Sequence, residues 1–384
     1  MFLACLNIPS ITLPLYTFIH DTVCSRWQRA AEQSMAQAAR EESEHAKSIG
    51  SVDVDGVPMI TVVADGCWSK RSYGTNYNTL SGAAAIIGQF TKKVLFMGVK
   101  NKFCLACSRA AGTTSEPPEH KCFKNYEGSS SAMEATIISD GFKNSLYAFG
   151  LIYSRMIADV DSNTYSQICK SRPYKNVTVA KINCKNHLFR NYCKSLLAIS
   201  TDTRLPVRDR KVLKDRYLRI SFAVDKIIKY WTSQSFPVNH KINMINQDIL
   251  NSPYHVFGDH TNCASYFCSP KPGEENLVTE LSVSGLFQKV CAEGNKLSKY
   301  SNSLVHNVTS NSVECFNSLI AKYVGGKRVN YSFRNSYAGR CYAAVVSYNT
   351  GQLHSDTHKY IFNSDANAEI VHLEKLHKLN SKTI

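Results

Sequence analysis

The sequence predicts an α/β protein with a mixed five-stranded sheet flanked by helices, followed by a mostly helical stretch. Three observations carry this. Short β-branched runs give way to segments of helical period between residues 58 and 202. The first three runs have no helix between them, the pattern of antiparallel strands, whereas the later two arrive through helices. From 203 to 300 the strand-like runs stop and a helical period with a basic face takes over.

The elements follow in order. Residues 22 to 48 read as a helix, with Trp27, Ala30, Met35 and Ala38 among good helix formers and Gly50 beyond. PMITVVAD (58–65) reads as a strand closing on Asp65. SGAAAIIG (81–88) and KKVLFMGV (92–99) form a hairpin turning at Gln89 to Thr91, and their continuous apolar character calls for cover on both faces. Residues 103 to 128, rich in Cys, Pro, Gly and Lys, read as a loop stapled by something other than a core. Ser130 to Leu146 reads as a helix capped by Ser130 or Ser131, with Glu134 in its first turn. LIYSRMIAD (151–159) is a fourth strand, 163–170 a short helix, NVTVAKINC (176–184) a fifth strand and 186–199 an amphipathic helix. A further helix starts at Ser310, carries Glu314 and ends near Gly325-Gly326; another covers 336–350, and the polar tail 363–384 is expected to fray. The domain reading is a helical segment 1–57, a core 58–202 holding the loop 103–128, a helical insertion 203–300, the rest of the core 301–350 and a tail 351–384.

Composition narrows the function classes. The 384 residues carry a formal net charge of +15, an excess that favours a polyanionic partner because Lys and Arg on phosphates release counterions. The 14 cysteines are scattered over a long chain, several beside His, which favours metal binding in a reducing compartment over a disulfide scaffold. The apolar N-terminal run lacks a basic lead and is broken by Pro9 and Pro14, so it reads neither as a signal peptide nor as a membrane span.

Three constellations bear chemistry. Asp65 and Asp159 each close an apolar strand, and acids so placed can bridge Mg²⁺, which takes oxygen ligands from few protein groups. A third carboxylate from a helix, such as Glu314, would complete a two-metal site for in-line phosphoryl displacement. Taken singly, each acid reads more readily as a strand end or cap facing water. Asp161 competes with Asp159, since alternation puts both on one side, or else it caps the helix that follows.

Cys104-Leu-Ala-Cys107 followed by His120-Lys-Cys122 has the spacing of a structural, tetrahedral Zn²⁺ site. His255, His260, Cys263 and Cys268 form a candidate second zinc cluster with a less certain ligand set. Cys184 and His187 alone read as a packed Cys and a hydrogen-bonded His. Candidate DNA contacts are Lys70 and Arg71, the helix bearing Arg208, Arg210, Lys211, Lys214, Arg216 and Arg219, and Lys327 and Arg328 after the Gly pair. Trp231 reads as a core residue, with stacking on an unpaired base as the alternative.

Five stretches, VVADGCWSKRSYG, HKCFKNYEGSSSAMEATIISDGF, MIADVDSNTY, INCKNHLFRNY and VECFNSLIAKYVGGKRVNYS, together resemble the Mutator-like transposase domain of animal mobile elements. The resemblance runs from about residue 5 to about residue 350. It implies an RNase H-like fold and a DDE triad of Asp65, Asp159 (with Asp161 the alternative in that motif) and Glu314. It also implies that Cys184 and His187 form the family's Cys-x-x-His pair, and that 203–300 is the helical insertion before the Glu. The implied activity is DNA strand cleavage and transfer with Mg²⁺ or Mn²⁺, in the nucleus, by a homo-oligomer on DNA, with structural Zn²⁺ and no membrane partner. His187 would orient a scissile phosphate or help place Asp159. No separate DNA-binding module is legible ahead of the catalytic region, and the alternative function is a transposase-derived, zinc-containing DNA-binding protein without catalysis.

Overall fold

A computed structural model describes residues 11–69, 79–113, 116–159, 163–268 and 273–381. Helix α1 (Leu13–Ser48) leads into strands β1 (Met59–Trp68), β2 (Ser81–Gly88) and β3 (Val94–Asn101). Helix α2 (Leu105–Thr113), a 3₁₀ turn at Ser130–Ala132, helix α3 (Met133–Phe149), strand β4 (Ile152–Ala158), helix α4 (Asn163–Ser171), strand β5 (Ala180–Asn183) and helix α5 (Lys185–Ser200) follow. Then come α6 (Val207–Ser233), α7 (Val238–Val256), α8 (Val278–Val283), α9 (Leu286–Ser298) and the short α10 (Ser301–Leu304). The chain closes with α11 (Asn311–Tyr323), α12 (Ser336–Asn349), α13 (Leu353–Phe362) and α14 (Ala368–Ser381).

The sheet has the order β3-β2-β1-β4-β5. β1 to β3 pair antiparallel, with Asp65 opposite Ala85 and Ala85 opposite Met97. Ile152 N donates to Pro58 O at 2.9 Å and Ser154 Oγ to Ile60 O at 3.2 Å. Both bonds advance in the same direction along the two strands, so β4 runs parallel to β1 and the sheet is mixed, as expected.

The chain folds as two compact units. The first holds α1, β1 to β3, most of β4, α2 to α4 and α11 to α14. Its sheet is covered on both faces, and β2 is buried along its whole length. The α3 face is identified by near contacts. A Cβ added to Gly66 would meet Glu134 at 2.6 Å, one added to Gly98 would meet Ile137 at 2.4 Å, and one at Gly141 would meet Ile86 at 2.6 Å. Small residues on both sides let helix and sheet approach closely. The opposite face therefore carries Asp65, Cys67 and Ala85, by strand alternation.

Side chains finish the edges of this unit. Buried Glu42 of α1 accepts from Phe90 N, Thr91 N and Thr91 Oγ1 at the β2–β3 turn. Along β3, Val94 N donates to Asn349 Oδ1 at 2.8 Å and Asn349 Nδ2 donates back to Val94 O at 3.0 Å.

The second unit holds the end of β4, most of β5 and helices α5 to α10. Ile220, Val224, Ile227, Ile228 and Trp231 recur at helical spacing along α6 and share one buried core with Ile245 and Ile249 of α7 and Leu286 and Val290 of α9. Each such side chain withdrawn from water contributes about 1.5–3 kcal/mol. Trp231 donates from Nε1 to Asp248 Oδ2 at 2.7 Å and is a core residue with no face left for a base.

Several expectations are corrected. β1 does not close on Asp65: it continues through Gly66, Cys67 and Trp68, which keep Ala84, Ala83 and Gly82 as partners. The stretch 103–128 is not all loop, since α2 lies inside it. β5 is shorter than 176–184, and the Val179 carbonyl accepts from Tyr165 Oη at 2.9 Å instead of joining a longer ladder. Neither Ser130 nor Ser131 caps the helix start; Ser129 Oγ accepts from Ala132 N, while Ser130 Oγ donates to Thr79 O. The described part of the tail, through residue 381, is helical over Ala368–Ser381 and tied back: Glu374 of α14 is buried and accepts from the first N–H groups of α13, His354 N at 2.7 Å and Ser355 N at 3.0 Å. Among the described residues no helix is long and apolar enough to cross a membrane.

Candidate catalytic carboxylates and metal clusters

In the first unit, Asp65 projects from β1 toward α11. Its Oδ1 accepts from Gly66 N at 2.8 Å and its Oδ2 from Asn317 Nδ2 at 2.9 Å. Asn317 Nδ2 also reaches Gly66 O at 3.2 Å. Helix α11 is seated by buried Val313, Phe316 and Ile320. Exposed Glu314 stands one turn before Asn317 on the neighbouring stripe, which places it on the Asp65 side of the sheet. Lys327 reaches the same place. Burial pushes the Cys67 thiol up, and the Lys327 ammonium beside it works in the opposite direction. The positive φ of Gly325 (60°), Gly326 (67°) and Lys327 (63°) reverses the chain after α11 so that Lys327 points back at β1. Arg328 is exposed. Lys70, Arg71 and Asp161 lie outside the described residues.

In the second unit, Asp159 follows β4 directly, with its side chain 59% exposed, and its Oδ1 contacts Nδ1 of His187 in the first turn of α5. Cys184, fully buried ahead of α5, does different work. Its backbone N donates to Ala158 O at 3.2 Å, and its thiol accepts from Ser310 N at 3.2 Å. The Cys-x-x-His spacing therefore fixes two things one helical turn apart: the acid after β4 and the residue that precedes α11.

The basic face of α6 is largely occupied. Arg208 pairs with Glu280, Arg210 Nε donates to Leu205 O, Arg216 donates to Val256 O at 3.0 Å and Arg219 lies 3.7 Å from Glu274. Lys211 and Lys214 are exposed. Arg208 and Arg219 are exposed as well but have carboxylate neighbours, so Lys211 and Lys214 are the exposed members for which no ion pair is seen among the described residues.

Two groups of His and Cys converge among the described residues, and neither includes a carboxylate. A tetrahedral Zn²⁺ with bonds of about 2.3 Å to sulfur and about 2.0–2.1 Å to nitrogen has edges of about 3.8 Å (S···S), 3.6 Å (S···N) and 3.3 Å (N···N). In the first group His120 Nε2 lies 3.3 Å from both Cys104 Sγ and Cys107 Sγ, and Cys107 Sγ is 3.6 Å from Cys122 Sγ. His120 Nδ1 faces Pro118 O at 2.7 Å, which fixes its ring. Burial works to raise Cys104, but the N–H groups of Cys107, Phe123 and Ala106 outweigh it and bring the thiol down to about 6. The thiol of Cys107 is pushed up to about 11, first by Cys122.

In the second group His255 closes α7, and the other members come from the loop beyond it. His255 Nδ1 and His260 Nδ1 are 3.2 Å apart, and Cys263 Sγ lies 3.4 and 3.7 Å from them; Cys268 Sγ is 3.2 Å from His260 Nδ1. Burial, then His260, holds His255 below its usual range and so in the neutral, ligating form. Burial pushes the Cys263 thiol up to about 12.

The family profile of the Mutator-like transposases matches residues 1–268. The chain belongs to the Mutator-like transposase family. The match takes in Asp65, Asp159, His187 and both Cys/His groups, and stops short of Glu314. No curated protein and no solved structure gives a significant match. For a Mutator-like transposase, membership implies transposition, DNA as a partner and use of divalent metals. Sequence reasoning missed Asn317 and Ser310 in this transposase. The only signal for Asn317 was its position three residues after Glu314, about one helical turn on.

Proposed function

We propose that the chain is a DDE transposase core that cleaves and transfers DNA strands, with Asp65, Asp159 and Glu314 holding two Mg²⁺ or Mn²⁺ ions. The observation that carries this reading is the bond from Asn317 to Asp65, which fastens the helix bearing Glu314 to the strand bearing Asp65, in a chain whose family transposes. The donor set suits the ions, because carboxylate oxygens are the hard ligands that Mg²⁺ takes. When bound, such ions activate water or a DNA 3′-hydroxyl and stabilise the leaving oxygen.

The chain's own residues do the positioning. Asn317 and Gly66 N hold both oxygens of Asp65 in one orientation. His187 holds Asp159, and Cys184 anchors Ser310, the residue before α11. Lys327 and Arg328, with Lys70 and Arg71 earlier in the chain, supply charge for DNA phosphates. The first Cys/His group holds Zn²⁺ and braces the segment after β3. The protein works in the nucleus as a homo-oligomer on DNA.

The test is nicking and strand transfer by the purified full chain in Mg²⁺ or Mn²⁺. Asp65→Asn, Asp159→Asn and Glu314→Gln are each expected to cost about a hundredfold or more, as displaced reacting groups do. Unchanged rates in all three would overturn the site, and DNA binding without cleavage by the unsubstituted chain would identify a catalytically silent DNA-binding protein instead. Asn317→Ala is expected to lower the rate and leave DNA affinity unchanged.

A further inference from the structure

We infer that His255, His260, Cys263 and Cys268 form a Zn²⁺ site whose geometry is set by a fifth residue, Glu274, that is not a ligand. The ligand atoms already stand at tetrahedral edges: 3.2 Å between the two Nδ1 atoms, and 3.4, 3.7 and 3.2 Å for the sulfur–nitrogen edges. Two thiolates and two imidazoles are a Zn²⁺ set with no open position, so the role is structural.

The second observation lies on the far side of the His260 ring. With Nδ1 turned to the cluster, Nε2 is buried and makes no straight hydrogen bond. Glu274 Oε2 lies 3.3 Å from it, and Glu274 Oε1 lies 3.7 Å from Arg219 Nη2 on α6. A ligating imidazole commonly gives its second N–H to a carboxylate, which fixes tautomer and ring plane and raises the basicity of the bound nitrogen. Glu274 is in place for that role and for no coordination bond, because the ring stands between it and the cluster.

The chain around Glu274 is held for the purpose. Leu277 N donates to Phe257 O at 2.8 Å, and Gly258, at φ +91°, lies so close that an added Cβ would stand 2.3 Å from the Glu275 carbonyl oxygen. The residues on either side of Glu274 are thus pinned against the chain that leads into the cluster. The metal ties the end of α7 to the loop after it, and Glu274 ties that loop to α6.

The experiment is metal analysis of the full chain purified under reducing conditions, with cobalt substitution and chelator competition. Two zinc ions per chain are expected, falling to one in Cys263→Ser/Cys268→Ser. Glu274→Gln should keep both ions but weaken one by about 10–100-fold, with Glu274→Asp recovering part of the loss. Cobalt titration of the unsubstituted chain should show two absorbing sites, one with three thiolates and one with two, and this arm decides the matter if a variant fails to fold. Zinc content unchanged by Cys263→Ser/Cys268→Ser, no cobalt site with two thiolates, or a Glu274→Gln protein that competes with chelator as the parent does would overturn the inference. These readouts involve no DNA cleavage, so their failure and failure of the catalytic reading are separate results.

Discussion

The two Cys/His groups each gather four ligand atoms at distances near tetrahedral edges but have opposite surroundings. The first draws its ligands from a short helix and a polar loop; Cys122 is exposed, and of α2 only Ala110 is buried. Its histidine turns Nε2 to the sulfurs and is oriented by a backbone carbonyl, that of Pro118. The second lies beside buried Phe257 and Phe267, uses Nδ1 of both histidines and has a carboxylate behind one of them. Where apolar burial is scarce a bound metal would substitute for a core, and where burial is ample it would lock a geometry that the core alone leaves open.

That contrast can be broken or sharpened. The largest effect is expected from Cys263→Ser, which should lower the stability of the helical unit by on the order of 3 kcal/mol or more. Cys107→Ser should instead leave the main unfolding transition in place and raise hydrogen exchange only across residues 104–125. Equal shifts in the main transition for the two variants would show that the groups do not differ in kind. Gly258→Ala comes next. Its strained φ and the 2.3 Å approach to Glu275 O should cost about 2–3 kcal/mol, and zinc affinity at the second group should fall with stability. Trp231→Phe strips one donor from buried Asp248 and from the Tyr266 hydroxyl, and leaves every Cys and His of both groups in place. A loss of about 1–3 kcal/mol in denaturant unfolding with unchanged zinc content would separate core from metal. Smallest is Arg219→Ala. Its exposed 3.7 Å pair with Glu274 should contribute under about 1 kcal/mol, and a tenfold loss of zinc affinity there would shift the orienting role from Glu274 to the pair.

Much of the fold was legible in the sequence because its signals are local. The hairpin 81–99, the helices of 203–300 and the spacing of Cys104, Cys107, His120 and Cys122 all follow from periodicity and ligand chemistry read over short windows. The misses share a cause. β1 overruns Asp65 because Gly66 and Cys67 have strand partners near residue 84, which no window around 65 contains. The described part of the tail docks because Glu374 caps a helix about twenty residues earlier. Asn317 and Glu274 act through hydrogen-bond geometry to residues far off in sequence, and nothing in their own neighbourhood announces it. Cys184 carried a family pattern, but nothing near it in sequence pointed to the Ser310 backbone that its thiol meets.

Strand β3 ends the sheet, and its first residue is met by the Asn349 side chain, donor to acceptor and acceptor to donor. A side-chain amide has the same two groups as a peptide, so Asn349 stands in for the strand that would otherwise come next. An open edge is where a second polypeptide can add itself and start aggregation. By spending one amide from α12 on that position, the protein withholds a template for β-addition at the point where β3 begins.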